Sequence, residues 1–415
     1  MIDDVLGVSV ELALWGGLLI LILGLAKLLY VPLAVAFEVR EAIRKRRGHP
    51  TLADDRPMVS VIVPAYNEAA TLENCVRSVL AGGYEDLEVV VVDDGSTDAT
   101  PDIMRALAAA DGRVRTLFQA NAGKGVALNR GIAASIGEIV FCVDADGMFT
   151  AQTIEEMLRG FDHPAVGAVC GDDRPVNLNR PTTHLLALVS YVGTGLVRRA
   201  LVMFGCLPIV SGNIGAFRRD VIARLLFRED TVGEDLELTW RVHKAGYRVN
   251  FRPLSLVYAE VPATVRGLWR QRVRWGRGLL QTLGAHLRMV GNPRYGVFGV
   301  YLAYNAVTMV VLPVVQLLAL AVVPIVAVDG GSPVGDDVLA IGGWLGIWLS
   351  LGLMLISLAL GRGWRDTRLL WAIVLWPLYS VLMSVVVVAS IAYELRGGPA
   401  PWNKLDRTGV VSRQA

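Results

Sequence analysis

Two carboxylates stand two residues apart in Asp144-Ala145-Asp146, directly after the short apolar run Ile139 to Val143. Near-adjacent anions repel unless a cation or ligand satisfies them. Their hard oxygens suit Mg2+ or Mn2+, ions that usually keep substrate phosphates as co-ligands. Such a pair is also common in ordinary loops. Its place at a strand end favours the metal reading, with Asp146 as direct ligand and Asp144 either nearer a ribose or also on the metal. Asp93-Asp94-Gly95-Ser96 ends another apolar run. It reads as an Asx-capped turn, or as a carboxylate accepting hydrogen bonds from a base or ribose. Pro64-Ala65-Tyr66-Asn67-Glu68, at a third strand end, strengthens the second reading, because Tyr66 can lie against a flat base.

Three further motifs carry potential chemistry. Gly123-Lys124-Gly125 lacks the G-x-x-x-x-G-K-[ST] spacing, which excludes a P-loop ATPase. Lys124 is left as a contact for a phosphate or as a solvated surface lysine. Gly233-Glu234-Asp235 precedes an amphipathic stretch, Leu236 to Ala245. It is either an acid-enriched helix start or the place where one acid serves as a general base toward a hydroxyl. Gln271-Arg272-Val273-Arg274-Trp275 lies in a basic, aromatic segment from about Thr264 to Leu287. A helix lying on a bilayer, with arginines on lipid phosphates, accounts for Arg266, Arg270 and Arg277. It does not require Gln271, Arg274 and Trp275 at i, i+3 and i+4, which share one helical face. That face can hold a diphosphate on Arg274 and stack a sugar ring on Trp275.

The elements that must position these residues follow from periodicity. Val59 to Val63, Leu87 to Val92, Val114 to Phe118 and Ile139 to Val143 are short buried-type runs alternating with helical stretches. This pattern predicts a parallel sheet with helices on both faces, and ligands bind beyond the carboxyl ends of such strands. The polar motifs fall at those ends. A second interfacial helix is expected between His184 and Phe204, with Arg198 and Arg199 reaching toward the membrane surface.

The 415 residues are 53% hydrophobic and 19% charged, with mean hydropathy +0.48. That is too apolar for an ordinary soluble domain. Blocks at Val10–Phe37, about Val300–Val328, Val338–Leu360 and Leu369–Tyr393 are long enough to span a bilayer. The first has no cleavage site and reads as a retained anchor. Arg40, Arg44, Lys45, Arg46 and Arg47 follow it, while Asp3 and Asp4 precede it. The positive-inside rule therefore places the central domain in the cytoplasm. The same rule puts the acidic Asp329–Asp337 loop outside. Three later spans would leave the C-terminus outside, whereas Arg396, Lys404, Arg407 and Arg413 place it inside. Either one block is re-entrant or interfacial, or the block from Tyr295 to Val328 is broken near Pro313. Cys75, Cys142, Cys170 and Cys206 show no metal-type spacing and read as buried thiols in a reducing compartment.

These motifs, in this order, resemble the membrane-embedded, processive family 2 glycosyltransferases, the group of cellulose, chitin, hyaluronan and poly-N-acetylglucosamine synthases. The likeness spans about Met58 to Leu280 with the surrounding apolar segments. It implies an α/β GT-A (Rossmann-like) catalytic domain inserted between transmembrane helices, with amphipathic interface helices. The corresponding boundaries are an anchor at 1–40, a basic linker at 41–57, the catalytic domain at 58–262 and an interfacial QxxRW helix at 263–294. Three membrane segments at 295–394 and a basic tail at 395–415 follow. The resemblance further implies a nucleotide near Ala65, Tyr66, Glu68, Asp94, Lys124 and Asp144, and Mg2+ or Mn2+ at Asp144 and Asp146. Asp235, beside Glu234, matches the catalytic base. Gln271, Arg274 and Trp275 match the acceptor and diphosphate helix, and Ser211 and Gly212 the acceptor-side segment. The tail Trp402 to Gly409 is similar to that of poly-N-acetylglucosamine-type members and favours an inside C-terminus.

The expected function is polymerisation of a β-linked polysaccharide from a UDP-sugar, UDP-N-acetylglucosamine first, at the inner membrane, with export through the membrane helices. The expected partners are the UDP-sugar, the growing polysaccharide, the bilayer and accessory export or modification proteins, with no nucleic acid. The alternatives are transfer of a single sugar to a lipid acceptor and a non-catalytic assembly or sensor subunit.

Overall fold

The computed structural model describes residues 15, 18, 19, 21–328, 336–397 and 409, and side chains outside 322–347. Asp3 and Asp4, most of the Asp329–Asp337 loop, and the tail residues Trp402–Thr408 and Arg413 lie outside the described residues. The strands are β1 (Val59–Ala65), β2 (Leu87–Asp94), β3 (Val114–Gln119), β4 (Ile139–Cys142), β5 (Met148–Phe149), β6 (Val166–Pro175), β7 (Gly215–Arg218) and β8 (Arg248–Ala259). They form one sheet in the order β3-β2-β1-β4-β7-β6-β8-β5.

The first four strands are parallel, as their unbroken apolar runs require. The second half is mixed: β7 runs antiparallel to β4 and β6, and β5 antiparallel to β8. The periodicity of the first half carries no information about this change, because β7 is only four residues long. Val61, Val63, Val89 and Val91 face Leu72, Val76, Met104 and Leu107 of helices Leu72–Leu80 and Thr100–Ala110. Ile62, Val140 and Cys142 face Leu128 and Ile132 of helix Lys124–Ala134, and Leu238 and Val242 of helix Glu234–Lys244. Alternation along each strand thus gives the sheet two apolar faces, each covered by helices.

Strand order reverses at β1, which pairs with β2 on one side and β4 on the other. The β1–β4 ladder ends at Ile62, while the β1–β2 ladder continues to Ala65. The strand therefore runs past Pro64, beyond the expected end at Val63. The β4 side is unpaired there, so a residue without an N–H is tolerated. This opening is the topological switch point at which ligands bind in sheets of this kind.

Among the described residues four helices are long and apolar enough to cross a membrane: Leu21–Arg46, Pro181–Met203, Pro293–Ala321 and Trp364–Leu395. The second is two-thirds buried inside the protein. It covers the stretch between His184 and Phe204 for which an interfacial helix was expected. Arg198 donates to the Gly171 carbonyl at 2.8 Å and to Asp173 at 3.1 Å. Arg199 pairs with Glu38 at 2.6 Å and donates to the Leu360 carbonyl at 3.1 Å. Both arginines are buried in the protein, not extended to solvent.

The first helix continues past the expected boundary at residue 40 to Arg46. Its last turns pair Arg44 with Asp162, and Glu41 with Arg252 at 2.5 Å. Pro293–Ala321 is continuous through Pro313. A π-helical stretch, Val307–Val311, lies just before that proline and accommodates the missing N–H. Helix Asp336–Leu360 ends where the Gly361 carbonyl accepts from Arg174 at 2.9 Å. The last apolar block meets the preceding part of the chain at both ends. Trp376 and Tyr379 pack on the cluster containing Leu185, Leu188 and Tyr191, and Glu394 pairs with Arg277. Gly409 in the tail donates to Glu260 at 2.6 Å.

Gly95 closes the turn after β2 at φ +77°, and a Cβ there would lie 2.6 Å from the Asn121 backbone nitrogen. Gly95→Ala is expected to cost about 1–3 kcal/mol, seen as a lower thermal midpoint in detergent. An unchanged midpoint would show that the turn relaxes freely.

Candidate active site

Asp94, at the end of β2, is buried and its carboxylate is engaged by the next loop. Oδ1 accepts from Gln119 Nε2 at 2.8 Å and from the Ala122 N–H at 2.8 Å, and Oδ2 accepts from the Gly123 N–H at 2.9 Å. Gly123 sits at φ +99° and starts helix Lys124–Ala134. Asp94 therefore shapes the loop that delivers Lys124. Ala65 stands opposite Asp93 in the ladder. The two strand ends are laced together beyond it: Asn67 N–H donates to Ser96 Oγ at 2.8 Å, and Glu68 N–H donates to Thr100 Oγ1 at 2.8 Å. Tyr66 is half-buried beside them. Glu68 accepts from Thr71 at 3.0 Å.

Lys124 is not a solvated surface lysine. Its side chain is 12% exposed, and Nζ lies 2.8 Å from Asp144 Oδ1 and 3.0 Å from Glu234 Oε1. Burial pulls its pKa down, but Asp144, Glu234 and Asp235 more than reverse that and hold it above the ordinary lysine range. Asp235, next on the same helix as Glu234, accepts from the Gly212 N–H at 3.1 Å and from its neighbour Leu236 N–H at 2.7 Å. Burial and then the Glu234 charge push its carboxyl up to about 6, against the opposing pull of Lys124 and the two N–H groups. A Cβ on Gly212 would lie 2.9 Å from Lys124 Nζ. The fold thus brings Gly212, Lys124, Asp144, Glu234 and Asp235 from four separate segments into one cluster. Ser211, the preceding residue, donates its N–H to the Cys170 sulfur at 3.4 Å.

Asp146 is buried deeper, and its Oδ2 accepts from the Glu260 N–H at 3.2 Å. No group of three His, Cys, Asp or Glu side chains able to hold a metal is present among the described residues. Two carboxylates at one strand end fit an ion whose remaining ligands come from water and a phosphorylated substrate. They do not fit a closed structural metal site.

Helix Val265–Ala285 carries the Gln/Arg/Trp face. Trp275 is 48% exposed, and the Arg272 guanidinium lies 4.1 Å from its ring centroid. Nε of Arg272 and Nε of Arg274 are buried with no hydrogen-bond partner among the described residues. Among the described residues no hydrogen bond or ion pair joins Gln271, Arg274 or Trp275 to the Lys124 cluster. The helix reaches that cluster further along, through Gly278 and Gln281. A Cβ on Gly278 would fall 2.8 Å from Gly233 Cα. Gln281 Oε1 accepts from Thr231 Oγ1 at 3.0 Å and from the Val232 N–H at 3.2 Å. Sequence reasoning assigns no role to Arg272, Gly278, Gln281 or Glu260. The spacing of Arg274, Gly278 and Gln281 at i, i+4 and i+7 was the available signal for two of them.

Residues 60–226 match the family model described as Glycosyl transferase family 2. This stretch is similar to the family 2 glycosyltransferases. Over 244 residues the chain is 30% identical to the poly-beta-1,6-N-acetyl-D-glucosamine synthase of Staphylococcus aureus, covering 58% of each protein. Over 222 residues it is 29% identical to the Staphylococcus epidermidis enzyme of the same name, covering 53% of this chain and 54% of that one. The match thus spans somewhat over half the length of these curated relatives. The mannosyltransferase PcManGT from Pyrobaculum calidifontis, solved in complex with GDP-Man and Mn2+, superposes with a TM-score of 0.62 at 24% identity. That alignment covers 90% of this chain and 99% of that one. It shows the GT-A-like α/β fold with its mixed sheet.

Lys124→Met leaves the carboxyls of Asp144, Glu234 and Asp235 without their shared cation, at an expected cost of about 3 kcal/mol. The Asp235 carboxyl, already raised by burial and the Glu234 charge, loses the opposing pull of Lys124 and is raised further in the folded chain, so the folded state binds more protons than the unfolded one and loses stability as pH rises. The drop in thermal midpoint relative to the parent should be larger at about pH 8 than at about pH 5.5. A drop independent of pH would mean that the ammonium does not organise these acids.

Proposed function

We propose that this chain is a membrane-bound, inverting glycosyltransferase that extends a β-linked polysaccharide from a UDP-sugar, UDP-N-acetylglucosamine first, at the cytoplasmic face. The observation carrying this reading is the cluster at the switch point. Asp235, with a carboxyl near 6, stands beside a buried Lys124–Asp144–Glu234 group, and the helix bearing Trp275 is anchored on the same turn. The name and the 30% identity of the staphylococcal relatives support the choice of sugar. Arg40 and Arg44 to Arg47 at the end of the first helix support a cytoplasmic domain.

In this reading the donor's nucleotide lies at the ends of β1 and β2, near Ala65, Tyr66, Glu68 and Asp94. Its diphosphate points toward Asp144 and Asp146. Asp144 and Asp146 are the residues that would hold a divalent cation, which when bound would supply positive charge against the departing UDP. The acceptor hydroxyl attacks the sugar C1 as the bond from C1 to the phosphate oxygen breaks, inverting that carbon. Asp235 takes the hydroxyl proton, a task suited to a carboxylate with a raised pKa. Lys124 and Arg274, whose Nε has no partner among the described residues, meet the negative charge of the leaving diphosphate. Gln271 and Trp275 hold the terminal sugar, Trp275 by stacking on its exposed face. Ser211 and Gly212 border the acceptor, and the Gly212 N–H fixes the Asp235 carboxylate. Retention of the chain on Trp275 makes addition processive, and the neighbouring apolar helices offer a route across the bilayer, with or without accessory export or modification proteins.

Asp235→Asn should lower transfer at least about a hundredfold while leaving UDP affinity within about twofold. Membranes supplied with radiolabelled UDP-sugars, followed by linkage-specific hydrolases, read this out. A variant that still polymerises refutes the base assignment, and a product of one added sugar refutes processivity.

For the parent enzyme, kcat/KM should fall about tenfold per pH unit below about 6, because the base works only when deprotonated. A flat acid limb would assign the proton to another group. Chelation should abolish UDP binding and transfer together, and Mn2+ or Mg2+ should restore both. Retained donor binding in chelator would remove the metal from Asp144 and Asp146.

A further inference from the structure

The turn that presents Asp235 is held from outside the glycosyltransferase fold. Thr231, Val232 and Gly233 lead directly into helix Glu234–Lys244, whose second residue is Asp235. Each of the three touches helix Val265–Ala285. Thr231 Oγ1 and the Val232 N–H both donate to Gln281 Oε1, at 3.0 and 3.2 Å. Gly233 and Gly278 meet backbone to backbone, leaving no room for a side chain on either. Gln281 is itself oriented, because its Nε2 donates to Glu394 Oε1 at 3.1 Å. Glu394 lies at the end of the last apolar helix, Trp376–Leu395, and also accepts from Arg277 Nε. One turn earlier, Ser390 donates to the Val273 carbonyl at 3.3 Å, and its hydroxyl lies where a Cβ on Gly276 would be. With two donors on Gln281 Oε1, its NH2 is turned toward the last apolar helix and is held there by an acceptor. Glu394 supplies that acceptor.

We propose that Gln281 is a positioning residue for Asp235, and that Glu394 on the last apolar helix sets its orientation. The last helix is thereby wired through a single amide to the turn carrying the base. The inference rests on Asp235 being the base, as proposed above. It adds that the membrane part of the chain, and not only the sheet, determines where that carboxylate stands. Gln281 and Gly278 act on the turn before Asp235, so their effect is on its placement. Misplacement of a reacting group by about an ångström lowers turnover roughly a hundredfold without loss of binding.

The test is a swap of hydrogen-bonding character in the full-length protein in detergent or nanodiscs. Gln281→Glu places a second carboxylate against Glu394 and should lower kcat roughly 10- to 100-fold. UDP affinity and the donor KM should stay within about twofold. The double variant Gln281→Glu with Glu394→Gln can re-form every bond. In it the carboxylate introduced at position 281 accepts from Thr231, from Val232 and from the amide introduced at position 394, and the carbonyl of that amide accepts from Arg277. It should recover kcat to within about threefold of the parent. Glu394→Leu alone should resemble Gln281→Glu in direction, because it removes the oxygen that accepts from the amide. Gly278→Ala offers an independent readout and should lower kcat with UDP binding retained. If the parent transfers sugar and the single variants keep its kcat, or the double variant is no better than either single, the coupling is overturned. If the parent transfers no sugar from any UDP-sugar, or if Asp235→Asn remains active, the underlying functional reading has failed instead.

Discussion

The ammonium of Lys124 is the group on which this site depends. Asp144 and Glu234 lie within 3.0 Å of it, with Asp235 adjacent. Three acids crowded at one end of a sheet would repel one another, and each would resist losing its hydration. The buried cation offsets both effects, so the acids can stand close without all becoming protonated. Its placement is set one step back, by Asp94. That carboxylate gathers the N–H groups of Ala122 and Gly123 and so fixes the start of the Lys124 helix. An acid at the end of one strand therefore acts through the loop of the next to hold acids contributed by two other segments.

The same cluster accounts for the unequal character of neighbouring carboxyls. Glu234 bonds Lys124 directly, whereas Asp235 is reached by the lysine only through space and is held by two backbone N–H groups. Burial together with the Glu234 charge outweighs those stabilising contacts and raises Asp235 to a value useful for accepting a proton near neutral pH. Adjacent residues on one helical turn thus differ because one is paired with the ammonium and the other is not.

The apolar helices are joined to the α/β domain by charges as well as by packing. Glu38 and Glu41 near the end of the first helix meet Arg199 and Arg252, and Glu394 of the last helix meets Arg277. Arg174 bonds both Asp172 on β6 and the Gly361 carbonyl that follows helix Asp336–Leu360. Contacts of this kind are strong when partly desolvated and leave few relative orientations open. They explain why Arg198 and Arg199 are buried. Their local sequence reads as a helix whose arginines extend toward lipid headgroups, yet their partners are Asp173 and Glu38, distant in the chain.

Much of the first half of the fold was legible in the chain itself. Four β-branched runs, each stopped by Pro, Asp or Gln, and alternating with helical stretches, determine a parallel core with its polar residues at one edge. The motifs Asp144-Ala145-Asp146 and Gly233-Glu234-Asp235, and the Gln/Arg/Trp face, were visible because residue type and spacing alone identify them. The mixed second half of the sheet was not visible, since four-residue β7 has too short a period to announce its direction. Pairing direction is a property of two strands and is written in neither. For the same reason only the tertiary structure decided that Lys124 is a buried cation and not a surface lysine. Only it showed that Gly409 meets Glu260, and that Gly278 and Gln281 support the turn before Asp235. Local sequence determines which groups can carry charge or donate a hydrogen bond. Which groups they meet, and hence whether they are buried, paired or shifted in pKa, depends on segments tens to hundreds of residues away.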